Sequence, residues 1–291
     1  MDYSKILRNN NKISIRTSCQ QHSQQYNADF NIRFVLSGNE SYQIGRRSLS
    51  VYPDSFLILN KGTQYSSQVD SDIPAQLFSI NFDQKFLCDF QTSHTLNDDK
   101  LLAKYRYNDN SGYEFNETIY PFRGDIRYNI NHLKNHLDQG TQDELLINEY
   151  LYHCLLNYFR IYNEEFVEKA EKLNFLNSST RIEILRRLNL AKEYLYSNYN
   201  QNVSLEELGE HACLSVNHLL RTFKQAFSLT PHQFLIQLRL QRAKSLLKTT
   251  DYPVNEVVNM IGFECSSSFI RLFKTRYKTT PLKYRQYRLS A

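Results

Sequence analysis

Ser215-Val-Asn-His-Leu-Leu-Arg-Thr-Phe-Lys224 returns fifty positions later, nearly copied, as Ser266-Ser-Ser-Phe-Ile-Arg-Leu-Phe-Lys274. On a helix that turns about 100° per residue, Leu219, Phe223 and Ala226 fall on one side and Asn217, Arg221 and Lys224 on the other. One side can be buried and the other can reach outward. In the second copy Phe269, Phe273 and the stem of Arg276 take the inward positions, while Ser267, Arg271 and Lys274 face away. The outward chemistry is shared: a small polar side chain, an arginine four residues on, and a lysine. That set suits a helix laid in a DNA major groove, where arginine forks onto guanine acceptors and asparagine or serine reads a neighbouring base edge.

The flanking sequence repeats as well. Thr180-Arg-Ile-Glu183 and Ser204-Leu-Glu-Glu207 both have the capping-box spacing and predict helix starts, the first helix running roughly from Arg181 to Ser197. Leu205-Glu-Glu-Leu208 opens a short helix that must turn near Cys213-Leu214-Ser215, with Ser215 capping the next. This is helix, tight turn, helix: the first braces and the second reads. Thr230-Pro231, a cap followed by proline at the first helical position, opens a long helix through about Lys248, with Phe234, Leu238, Leu246 and Leu247 apolar and Arg239, Arg242 and Lys244 basic. Asp251-Tyr-Pro253 breaks it and the plan repeats. Val254-Asn-Glu-Val-Val258 braces, Ile261-Gly262-Phe263 packs into the turn, Ser266 or Ser267 caps, and Thr280-Pro281 closes the unit as Thr230-Pro231 closed the first.

Two such units in register carry far more information than one amphipathic pair. Residues from about 185 to 288 resemble the DNA-binding domain of the AraC/XylS family of bacterial transcription regulators. The resemblance rests on Leu205-Glu-Glu-Leu208, Leu219 with Arg221-Thr-Phe-Lys224, Arg239-Leu-Gln-Arg-Ala-Lys-Ser-Leu-Leu247, Ile261-Gly-Phe263, Ser267-Ser-Phe269, Arg271-Leu-Phe-Lys274, and Thr280-Pro281 with Tyr284-Arg285. It implies two recognition helices set into successive major-groove segments on one face of double-stranded DNA, about one turn apart. Within that frame base reading falls to Asn217, Arg221, Ser267 and Arg271, with His218, Ser266 and Ser268 beside them. Leu220 and Ile270 either touch thymine methyls or pack against a neighbouring helix, and Lys224 and Lys274 hold phosphates. The family usually has alanine where Gly209 and Val258 stand, and glycine where Ser228 and Lys278 follow the recognition helices.

Residues 1 to about 124 read as short β-runs with turns between them: Phe30–Leu36 before Ser37-Gly38-Asn39, Ser41–Ile44 before Gly45, Ser55–Leu59 before Asn60-Lys61-Gly62, and Ala75–Phe82. Several short strands at this spacing predict a small sandwich or barrel. The Gly turn, the Tyr52-Pro-Asp-Ser-Phe-Leu-Ile-Leu-Asn60 strand and the Lys-Gly turn resemble the cupin-like sensing domain that precedes many bacterial regulators. No His-x-His pair occurs, and Tyr65 stands where a metal cupin would place a histidine, so neither metal nor cofactor is expected. A barrel mouth commonly takes a small ligand. Arg33, Arg46 and Arg47 could meet an acidic effector, although arginines beside strands are more often surface residues.

From Asp125 the period becomes helical, with Ile126, Ile130, Leu133 and Leu137 on one stripe closed by Gly140. His132 and His136 lie off that stripe without an acidic or thiolate partner and read as solvated. A longer helix is expected from about Gln142 to Leu173, where Ile147, Leu151, Cys154, Tyr158 and Ile161 form a seam. This seam either pairs two chains as a short coiled coil or covers the β-region. Asn177-Ser-Ser-Thr180 reads as the boundary between domains. The expectation is therefore an α+β multidomain chain: 1–178 a cupin-like sensing or dimerisation domain, and 179–291 an all-α domain of two helix-turn-helix units joined by a long helix.

Charge divides the chain in the same place. From Thr180 onward there are 17 Lys/Arg against 8 Asp/Glu, a net of +9, whereas the preceding part holds 18 against 22, a net of −4. A basic part beside an acidic one points the former towards a polyanion. The five scattered cysteines are read as reduced packing residues, and the start lacks a secretory layout, which suggests the cytoplasm. No nucleophile-base pair, phosphate loop or metal spacing supports an enzyme. The expected partners are promoter DNA, RNA polymerase and a small-molecule effector; a constitutive dimer through 142–173 without ligand is the alternative form of control.

Overall fold

A computed structural model describes residues 2–95 and 115–289. They divide into two compact units, Met1–Val167 and Glu168–Ala291.

The first unit is built on two long strands. β1 (Tyr3–Ile6) pairs with β2 (Lys12–Asn27), and β2 runs antiparallel to β7 (Gln64–Asn81) along most of its length. The later half of β7 continues the sheet through β3 (Asn31–Ser37), β6 (Ser55–Leu59) and β8 (Ile119–Pro121). Its earlier half instead pairs, from Tyr65 to Gln68, with β4 (Glu40–Ile44), which pairs with β5 (Arg47–Val51). The same two strands thus serve both halves, and the sheet closes nearly into a barrel. Register shifts between Ser18 and Gln20 and between Ser23 and Tyr26 let β2 bend from one half to the other.

Alternation along β2, β3 and β7 sends Ile13, Ile15, Ile32, Phe34, Phe78 and Ile80 to one face, where all are buried. A short helix, α1 (Gln84–Thr95), follows β7. Beyond β8, α2 (Gly124–Asp138) buries the stripe Ile126, Ile130, Leu133 and Leu137 read from the sequence. α3 (Glu144–Tyr162) starts at Asp143, whose carboxylate accepts the amides of Leu145 and Leu146. The single helix expected to reach Leu173 is broken by a π turn at Asn163–Val167 and resumes only as α4 (Glu168–Glu171). The seam Ile147, Leu151, Cys154, Tyr158 and Ile161 is buried within the unit, and Tyr158 stands edge-on to Tyr120 of β8 at 5.3 Å. It covers the β-region. These five residues leave no exposed surface as a seam for a second chain.

The cysteines correct another expectation. Cys154 alone packs inside, where burial pushes its thiol upward; Cys19, Cys88, Cys213 and Cys265 are exposed.

The second unit is helical: α5 (Ser178–Ser197), α6 (Leu205–Ala212), α7 (Val216–Phe227), α8 (Pro231–Thr249), α9 (Val254–Met260), α10 (Ser266–Tyr277) and α11 (Pro281–Leu289). Asn177 caps α5 in position, so the Thr180–Glu183 box lies inside the helix and is not its start. Ser204 with Glu207 and Thr230 with Gln233 form complete capping boxes, and Pro231 takes the first helical position of α8. Ser215 stands at the N-cap of α7 without a side-chain bond, and Cys265, not a serine, holds that place before α10.

α8 is shared by two cores. Leu235 and Leu238 are buried beside the first helix pair, whereas Leu240, Ala243 and Leu247 close on Val257, Val258, Ile261, Phe269 and Phe273 of the second. Its two arginines face the fold, whereas Lys244 and Lys248 are exposed. Arg239 donates to the carbonyls of Tyr199 (2.6 Å) and Gln201 (2.8 Å), and Arg242 is buried over the rings of Tyr196 and Tyr199.

The tight turn between α6 and α7 explains one departure from the family pattern. A Cβ on Gly209 would come 2.7 Å from the Leu214 carbonyl oxygen, and the Leu214 amide already donates to the Gly209 carbonyl. The contact is with backbone, which cannot step aside. Gly209→Ala should therefore destabilise the protein by about 1–3 kcal/mol, as overpacking does. Urea denaturation checks this, and an unchanged midpoint would refute it.

Candidate nucleic-acid interface

α7 and α10 coincide under a shift of fifty residues. α7 spans 216–227 and α10 spans 266–277, each ends on a left-handed residue (Ser228, φ 58°; Lys278, φ 60°), and Pro231 and Pro281 open the helices that follow. Their inner faces are closed: Leu219, Phe223 and Ala226 in α7, and Phe269 and Phe273 in α10, are buried. Asn217, Arg221 and Lys224 are exposed on the first helix, as are Ser267, Arg271 and Lys274 on the second. Ser266 and Ser268 are half-buried at the start of α10. Arg276, expected to pack by its stem, is exposed; Leu272 lies partly inward.

Leu220 and Ile270 part company. Leu220 is half-buried and lines an apolar groove with Leu195, Val203, Leu205, Leu208 and Leu235. Ile270 is 39% exposed. Of the two, only Ile270 keeps an apolar surface turned outward beside its arginine.

His218 is also placed differently from its neighbours. The Phe175 ring meets it at 5.9 Å, its Nε2 is shut away from solvent without a hydrogen bond, and the Thr222 hydroxyl donates to its carbonyl. Segment 168–177 is responsible: Lys169 of α4 lies over the ring of Phe227 at the far end of α7, and Arg181 fixes the Phe175 carbonyl. That covering comes from residues forty positions away, and no local pattern in α7 announces it.

At the start of α10 the Cys265 thiol bonds the Ser267 hydroxyl at 3.0 Å. Hydrogen bonds from Ser267 and from the backbone of Ser268 favour the thiolate and bring its pKa down to about 7. Negative charge is thus stabilised where the backbone amides of α10 are unpaired.

The left-handed residues after both helices lead to a direct prediction. A non-glycine residue at positive φ is strained, and glycine there relieves the clash. Ser228→Gly and Lys278→Gly should each stabilise the chain by up to about 1 kcal/mol, read as a raised melting temperature; a lowered one would contradict this account.

Residues 208–287 match the family profile described as a helix-turn-helix domain. Over 256 residues the chain is 26% identical to the raffinose operon transcriptional regulatory protein RafR of Pediococcus pentosaceus, covering 88% of this chain and 84% of that protein. It is 35% identical over 100 residues to the transcriptional activator RhaS of Enterobacter sp. (strain 638), covering 34% of this chain and 36% of that one. The structure of ToxT from Vibrio cholerae O395 aligns over 93% of this chain and 98% of that chain, with 14% identity and a TM-score of 0.38.

Proposed function

We propose that this chain, whose C-terminal unit carries a helix-turn-helix domain of the AraC type, regulates transcription by placing α7 and α10 in two successive major-groove segments of promoter DNA. One observation carries the reading: two helices with the same limits fifty residues apart expose the same polar-arginine-lysine set over buried aromatic faces. Asn217, Arg221, Ser267 and Arg271 read base edges, with Ser266 and Ser268 beside the second pair. Ile270 touches a thymine methyl. Leu220 is withdrawn from that role by its groove, and His218 reads nothing while Phe175 covers it.

Lys224 and Lys274 hold phosphates and so position without specifying. Removing either should weaken all sequences alike and reduce the slope of log affinity against log salt by about 1. Titration of operator and random duplexes at several salt concentrations tests this together with the reading as a whole. A chain that binds both duplexes equally at every salt concentration would sink sequence-specific regulation, and an unchanged slope in the lysine variants would sink their role.

The first unit is the control domain in this reading, its barrel taking a small molecule that shifts the chain between two arrangements. The regulation of a sugar operon by the relative from Pediococcus supports effector control. RNA polymerase is the protein partner of the bound state, and the cytoplasm is where the DNA lies. Among the described residues no helix is long and apolar enough to cross a membrane. The α3 seam leaves no exposed surface for a second copy, so a dimer would need another surface. The reading assigns no catalytic step.

A further inference from the structure

The inner face of the first unit is polar at one end, and the strand register shows why. Ser14 pairs with Ser79 and Ser79 with Arg33; two residues along, Lys12 pairs with Asn81 and Asn81 with Asn31. Because side chains alternate, these rows share a face opposite to the buried isoleucines and phenylalanines between them. The same rows turn apolar on β6, where Leu57 pairs with Arg33 and Leu59 with Asn31, and Val35 and Leu49 are buried as well. Hydroxyls, amides and cations therefore occupy a place where this barrel elsewhere puts aliphatic side chains.

A cavity of about 120 Å³ opens at the polar end, lined by Lys12, Ser14, Arg33, Glu40, Tyr65 and Asn81 among others. Arg33 organises it. Its guanidinium lies 3.8 Å from Glu40, donates to the Tyr65 hydroxyl, and sits over the rings of Tyr65 (4.7 Å) and Tyr42 (5.6 Å). Tyr42 in turn donates to Glu40. Burial opposes charge on Arg33, yet Tyr42, Glu40 and Tyr65 around it more than offset that and push its pKa upward, so it stays a cation.

Polar capacity is left over. Arg33 Nε is closed from solvent without an acceptor, and on the same face Asn31, 2% exposed, has an Oδ1 without a donor. One asks for an acceptor and the other for a donor, and a hydroxyl group is both. Charge is left over too. Glu40 answers Arg33, but Lys12 and Arg16 at the cavity have no carboxylate partner among the described residues. Tyr26, 55% exposed and 6.3 Å from the Tyr65 ring, adds an aromatic surface at the wall.

Building on the reading of this unit as an effector domain, we propose that the effector is an anionic, hydroxyl-bearing small molecule of the sugar phosphate or sugar acid class. Lys12 and Arg16 take its charge. Arg33 Nε and the Ser14, Ser79 and Asn81 side chains take its hydroxyls. A neutral sugar leaves the two cations unanswered, and an apolar acid leaves Arg33 Nε without an acceptor, which is costly for a buried polar group; Ser14 and Ser79, which bond each other at 2.7 Å, keep lone pairs for a hydroxyl.

The test is thermal melting of the full chain with glucose 6-phosphate, gluconate, raffinose, inorganic phosphate and a deproteinised metabolite extract. At least one of the two anionic sugars should raise the melting temperature at millimolar concentration, and Lys12→Gln with Arg16→Gln should weaken that binding by about tenfold or more. Both side chains are at least partly exposed, so the double variant should melt like the parent without ligand. A shift with raffinose or the extract that survives in the double variant, or an equal shift with inorganic phosphate, would overturn the class while leaving effector sensing intact. No shift with any probe, the extract included, would overturn both.

Discussion

Phe273→Ala should cost about 3–5 kcal/mol, the range for deleting a fully buried phenylalanine, and should remove the second half of DNA recognition. Phe273 is 0% exposed and its ring meets Phe269 (5.5 Å), Tyr277 (4.7 Å) and Tyr284 (5.8 Å). Those rings, with Val257, Val258 and Ile261, are what hold α10 on α8 and α9. With a domain stability of about 5–15 kcal/mol, a loss of that size unfolds an appreciable part of the population near physiological temperature. The urea midpoint should fall, and footprints on operator DNA should keep the segment contacted by α7 while losing the other. Phe223, also 0% exposed and packed on Phe227 and Phe234, should produce the mirror result in the first helix-turn-helix. A destabilisation under about 1 kcal/mol would mean that the second core is not the support described here.

Arg221→Ala and Arg271→Ala should leave the fold nearly untouched and instead weaken operator binding by about 1–3 kcal/mol each, relaxing preference at one base position apiece. Both side chains are exposed, and neither guanidinium has a protein partner among the described residues, so truncation strands nothing inside. Because the two residues stand on separate helices, their losses should add to within about 0.5 kcal/mol if each helix reads its own segment. Binding measured against a duplex series with single base changes checks both size and position. Wild-type affinity in both variants would remove the arginines from base reading. A uniform loss across all duplexes would make them phosphate contacts, the role proposed for Lys224 and Lys274.

The contrast between these two predictions, one structural and one confined to DNA, follows from side-chain direction on a helix, and that much was readable in the chain itself. The period of 3.6 placed Phe223 and Phe273 inside and Arg221 and Arg271 outside, and the repeat at fifty residues made the assignment far stronger than either copy alone. Ser204 with Glu207, and Thr230 with Pro231, likewise announced their helix starts, because a cap depends on residues three apart and on little else. Of the two longest strands only the later half of β7, read as Ala75–Phe82, was legible. β2 reads Lys12-Ile-Ser-Ile-Arg-Thr-Ser before a glutamine-rich stretch, and neither half alternates strongly enough to declare a strand. Its place is secured by pairing with β7, which lies some fifty residues away.

What the sequence determined, then, was everything set within a turn or two of helix or by the repetition of one pattern: two matching helices, their inward and outward faces, and the basic character of the unit that bears them. Tertiary structure decided what depends on distant residues meeting. It buried the α3 seam against the β-region, covered His218 with Phe175, drew Leu220 into a groove while leaving Ile270 open, and gathered Arg33, Glu40 and Tyr65 round one cavity. The reason is physical: helical periodicity is a local property of the chain, whereas burial and charge pairing depend on which distant surfaces close on one another.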